Sequence, residues 1–111
     1  MVRARKFEIT EATGRGTQTV ALSGELDLST VPELAQRVDA LGDQIGTLIL
    51  DLGDLIFMDS SGLRLLIELD QRAQREAWEL VLIPSRHESA KIVLRMTGAD
   101  AALPFVDHSP S

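Results

Sequence analysis

The spacing of apolar residues changes several times along the chain, and each change marks an element. "KFEIT" alternates, with Phe7 and Ile9 on one side. "TGRGT", Thr13 to Thr17, reads as a turn, because Gly14 and Gly16 accept positive φ. "TQTVALSG" follows as a second strand. The two strands are expected to pair as an antiparallel hairpin, closed by Gly24 and "ELD".

The period then lengthens. In "STVPELAQRVDALG", Val31, Leu34, Ala35, Val38 and Leu41 recur at helical spacing. Thr30 and Glu33 have capping-box spacing, Pro32 suits the first turn, and Gly42 supplies the stop. "TLILDL" is a continuous apolar run, as in a strand covered on both faces. "GDLIFMDSS" reads as the loop after it. "GLRLLIELDQRAQRE" is a second helix, with Leu63, Leu66, Ile67 and Ala73 inward and Leu65 and Leu69 widening the stripe. "WELVLI" is another buried strand, stopped by Pro84. "SRHESAKIVLRMTG" reads as a third helix, from a Ser85/Glu88 capping box to Gly98. "LPFV" suits a short edge strand, where Pro104 is tolerated.

The order β-β-α-β-α-β-α-β predicts an α/β fold with a mixed, mostly parallel sheet of four to five strands and three to four packed helices. With no linker or repeat in its 111 residues, the chain is expected to be one domain, 1–111, with its core at about 6–107. Met1 to Arg5 and His108 to Ser111 are expected to fray.

Composition removes several function classes. Hydrophobic residues make up 44%, which excludes a disordered tail. No apolar run approaches the ~18 residues that span a bilayer, and no apolar signal core follows the basic start, so a cytoplasmic protein without membrane contact is expected. There is no cysteine, hence no disulfide or thiol chemistry. The net charge of −6 shows no basic stripe for phosphates, so no direct nucleic-acid partner is expected.

Candidate chemistry narrows to one stretch. A serine hydrolase needs a base beside its nucleophile, and the only histidines, His87 and His108, lie in a polar helix start and in the tail. Asp51, Asp54 and Asp59 straddle the loop after the third strand, but the phosphate-balancing lysine of a phosphoaspartate site is missing from "LIPS". They read as solvated carboxylates, and no metal or other cofactor is expected. No glycine-rich phosphate loop occurs. "DSSGL" remains, Asp59 to Leu63. Leu63 is the first periodic apolar residue, which makes Ser61 the natural N-cap and Gly62 the first helical residue. A cap hydroxyl stands at the end of the helix axis, and Gly62 crowds it with no side chain. Phosphorylation there would add about −1.5 to −2 of charge. On the residues alone, a plain cap and a phosphosite both fit.

"TVALSGELDLSTVPELAQRV", "LILDLGDLIFMDSSGLRLLIEL" and "RHESAKIVLRMTGAD" together resemble the STAS domain of bacterial anti-sigma factor antagonists, over about Val20 to Phe105. The resemblance implies the STAS fold and a non-enzymatic, partner-switching regulator. It implies that the unphosphorylated chain binds an anti-sigma factor serine kinase and so frees a sigma factor. It implies phosphorylation on Ser61, release, and restoration by a PP2C-type phosphatase. Asp27 would lie near the modified serine, and Asp59, Ser60 and Gly62 would border the contact. Arg64, where many relatives carry a small residue, would sit one turn into the helix and meet an acidic partner residue or water. Trp78 stands where glycine is common. One of Ile56, Phe57 and Met58 is a candidate exposed anchor. A monomer or weak dimer is expected. The family also leaves two other roles open: a scaffold subunit of a stress-sensing assembly, or an accessory subunit of a transporter ATPase.

Overall fold

The computed structural model describes residues 6–42 and 45–106. The expected fraying of residues 1–5 and 108–111, and the position of His108, fall outside them. Strands β1 (Glu8–Thr13) and β2 (Thr17–Leu26) form the antiparallel hairpin, with Gly16 at φ 66° in the turn. Then follow α1 (Val31–Leu41), β3 (Thr47–Met58), α2 (Ser60–Glu76), β4 (Glu79–Ile83), α3 (Glu88–Thr97) and α4 (Ala99–Ala102). The sheet order is β1-β2-β3-β4, antiparallel at the first pair and parallel at the other two. This is the mixed, mostly parallel sheet that the alternating pattern predicts.

One face of the sheet carries the core. Val20, Leu22 and Leu26 of β2, Leu48, Leu50 and Leu52 of β3, and Leu80 and Leu82 of β4 are buried. They cluster with Leu34 and Val38 of α1, Leu63, Leu66, Leu69 and Ala73 of α2, and Ala90 and Leu94 of α3. Truncating any one of these leucines to alanine would cost roughly 2–5 kcal/mol. Leu65 and Leu69 widen the stripe of α2 because they face α1, bordering a shared cleft with Ala35. Ile67 is a correction. It is 38% exposed, on the flank of the helix that borders Gly98, Ala99 and Leu103.

The loop expected at "GDLIFM" is strand. β3 continues to Met58, paired with β2 alone beyond Asp51. Two register shifts hide this from the sequence. Leu52 and Gly53 face a single residue, Leu22, and Ile56 is the extra residue between the Leu55 and Phe57 pairs. Such bulges break the two-residue alternation, so Leu52, Leu55 and Met58 are all buried at odd spacing.

Neither expected capping box forms. The Thr30 hydroxyl donates to the Glu25 carbonyl at 2.8 Å and accepts the Asp27 N–H at 2.9 Å. The Ser85 hydroxyl is buried, donating to the Leu55 carbonyl at 2.6 Å and accepting the His87 N–H at 2.9 Å. It ties the end of β4 to β3. The expected edge strand "LPFV" reduces to one bridge, Leu82 to Phe105, preceded by the short α4.

Candidate functional site

The site is built where two strands end side by side. Leu26 pairs with Met58, and the Leu26 carbonyl accepts the Asp59 N–H at 3.3 Å. The chain after β2 therefore lies beside the chain entering α2. The first supplies Asp27 and Leu28, the second Asp59 to Arg64.

Asp59, not Ser61, caps α2. Its extended backbone precedes the helix, and its Oδ1 accepts the N–H of Ser61 at 2.8 Å and of Gly62 at 3.3 Å. Ser60 and Ser61 are thus the first and second helical residues. The sequence signal favours Ser and Asp alike at this position. Here the strand runs on to Met58, six residues beyond the "TLILDL" run, so the cap falls on Asp59. Ser60 is exposed and Ser61 half-buried. Neither hydroxyl makes a hydrogen bond among the described residues, in contrast to Ser29, Ser85 and Ser89, whose hydroxyls all donate to oxygens.

Gly62 is buried, which corrects the expectation that it clears space for a visitor. A Cβ there would stand 2.7 Å from Met58 Cγ and 2.9 Å from the Leu26 carbonyl oxygen. The glycine lets the helix start press against both strand ends.

Asp27 is committed to its own loop. Its Oδ1 accepts the Ser29 hydroxyl at 2.7 Å, the Ser29 N–H at 3.0 Å and the Thr30 N–H at 3.2 Å. The Ser29 hydroxyl leads in holding the carboxyl below its usual pKa, with the two backbone donors adding to it against some desolvation. This loop positions Leu28, a residue that pattern reading passes over. Leu28 is 76% exposed. Its only signal is an apolar residue between the polar Asp27 and Ser29.

A depression of about 270 Å³ gathers these groups. Leu28 and Val31 form one wall, and Ser60, Ser61, Arg64, Leu65 and Glu68 form the other. The structure thus brings Ser60, Ser61 and Arg64 together, with Asp59 and Gly62 holding the helix mouth beneath. Asp27 lies behind Leu28, without a hydrogen bond to either serine among the described residues. Of the three apolar residues before the cap, Met58 is buried, Ile56 half-buried and Phe57 40% exposed.

The two aspartates of β3 have partners of their own. Asp51 accepts the Gly53 N–H at 2.8 Å, and Asp54 pairs with Arg86. Among the described residues no three His, Asp or Glu side chains converge as a metal site would require. No described helix is long and apolar enough to cross a membrane.

Residues 9–104 match the family model described as "Mlab, STAS domain". Solved structures share the fold. An anti-sigma factor antagonist from Mycobacterium paratuberculosis superposes with a TM-score of 0.80 at 25% identity, over 92% of this chain and 86% of that one. The anti-sigma factor antagonist SpoIIAA in its unphosphorylated form gives 0.74 at 24% identity, over 94% and 89%. The phosphorylated form of the Bacillus cell fate determinant SpoIIAA gives 0.69 at 23% identity, over 94% and 92%. No curated protein matches the sequence.

Proposed function

This chain belongs to the STAS domain family, and from that premise we propose that it is an anti-sigma factor antagonist switched by phosphorylation of Ser61. The unphosphorylated chain binds an anti-sigma factor that is also a serine kinase, and a sigma factor is released. The kinase transfers the γ-phosphoryl group of ATP to Ser61 Oγ, the hydroxyl proton leaves, and ADP departs. The modified chain dissociates, and a PP2C-type phosphatase hydrolyses the phosphoester. The work is done by the partners' active sites, so the chain acts as a substrate and ligand in the cytoplasm.

One observation carries this reading. Asp59 does the capping, which leaves the Ser61 hydroxyl beside an open depression with no hydrogen-bond partner among the described residues. A phosphate there changes the charge of the contact and requires no refolding. Leu28 on the wall of the depression and Phe57 two residues before the cap supply exposed apolar anchors. Asp27, Asp59, Ser60, Gly62 and Arg64 shape or border the contact, Asp27 and Gly62 by holding the backbone in place. The likeness to antagonists over nearly the whole chain supports the same role.

The test is direct. Incubated with its anti-sigma kinase and ATP, the chain gains one phosphate by mass spectrometry, and Ser61→Ala gains none. Loss of the label in Ser60→Ala with Ser61→Ala still labelled moves the site to Ser60.

A further inference from the structure

Among the described residues, Arg64 is the one cation lining the depression that holds the serine pair. It is exposed, and it makes no hydrogen bond or ion pair among the described residues. Four other arginines, Arg37, Arg72, Arg86 and Arg95, each pair with a carboxylate. On α2, Arg64 stands three residues after Ser61 and four after Ser60, the spacings at which helix side chains are neighbours. Glu68, one turn further, lines the same depression but forms no ion pair with Arg64. From the loop and helix opposite, Leu28 and Val31 alone among the described residues line it, and Asp59 at the helix mouth is turned onto the Ser61 and Gly62 amides.

We infer that Arg64 is the internal counter-ion of a phosphate on Ser61, so that phosphorylation withdraws this guanidinium from the surface it otherwise offers to a partner. The inference rests on the reading of Ser61 as the phosphosite. An unmodified chain presents a free guanidinium beside Leu28, suited to a partner's carboxylate. A phosphate on Ser61 is a closer and more highly charged acceptor, and guanidinium matches its oxygens in a forked geometry. Phosphorylation therefore acts twice at the contact. It adds negative charge and occupies the neighbouring positive one. The small residue that many relatives carry at this position could do only the first.

The test uses the full chain with phosphoserine installed at position 61 during translation, titrated by ³¹P NMR. A phosphoserine ordinarily loses its second proton near pH 6. Pairing with Arg64 favours the dianion, so the midpoint is expected about 0.2–0.4 unit lower in the parent than in Arg64→Gln. Arg64→Lys should retain most of the shift. Arg75→Gln, further along the same helix, should leave the midpoint in place. Coincident midpoints in the parent and Arg64→Gln, or an equal change in Arg75→Gln, overturn the pairing. Because the phosphate is installed without a kinase, that result speaks against Arg64 alone. A parent chain left unmodified by its kinase speaks instead against the reading of Ser61.

Discussion

The Asp59 carboxylate accepts the Ser61 amide at 2.8 Å, so the backbone of Ser61 is engaged while its hydroxyl makes no hydrogen bond among the described residues. Capping and the proposed modification thereby fall on two different residues. Asp59→Ala should destabilise the fold by about 0.5–2 kcal/mol, as loss of a cap does. Ser61→Ala should stay within about 0.5 kcal/mol of the parent. Urea unfolding of both variants checks this. If Ser61→Ala is the costlier of the two, the hydroxyl has a structural role that the geometry does not give it.

Gly62 is held by contact rather than by conformation. Alanine there meets Met58 Cγ and the Leu26 carbonyl, which is itself fixed by the Asp59 amide. Gly62→Ala should cost about 1–3 kcal/mol, the usual range for overpacking. A lowered urea midpoint with an unchanged m-value is the expected signature.

Ala77 ends α2 in the left-handed region, at φ 60° and ψ 43°. It is the only non-glycine residue at positive φ among the described residues. Glycine removes the Cβ penalty there but adds unfolded-state entropy, so Ala77→Gly should gain about 0.5 kcal/mol. The glycine missing from the family pattern was expected at Trp78. The structure puts the strained position one residue earlier and packs Trp78 against the core.

How far the sequence discloses this fold depends on where its periodicity stays regular. The hairpin and the three long helices follow from unbroken periods of 2 and 3.6, and the buried strands from continuous apolar runs. The end of β3 does not, because two bulges shift its phase and "GD" carries turn chemistry inside a strand. That one misread moved the helix start and with it the cap, from Asp59 to Ser61. The capping boxes at Thr30 and Ser85 had the right spacing, but strand carbonyls compete for both hydroxyls. "DSSGL" was legible as the stretch that forms one wall of the candidate site. The groove wall supplied by Leu28 was not, because it comes from a loop brought alongside only by the β2–β3 pairing.

Asp27 gives the loop beside the site a pH dependence. Its folded pKa is depressed, chiefly by the Ser29 hydroxyl, so its contribution is fully present above the unfolded carboxyl value of about 3.9. The contribution is lost as pH falls through the lower, folded value. The stability difference between parent and Asp27→Asn should therefore shrink as pH drops below about 4. Thermal unfolding at a series of pH values measures it, and a difference that grows toward acid would reverse the assigned sign.

The central claim is that the charge state of Ser61 governs partner binding. Calorimetric titration of the anti-sigma kinase with the chain, unmodified and then carrying phosphoserine at position 61, tests it most directly. The account predicts binding by the unmodified chain and at least a tenfold loss on phosphorylation, about 1.4 kcal/mol or more. Equal affinity of the two forms would contradict it.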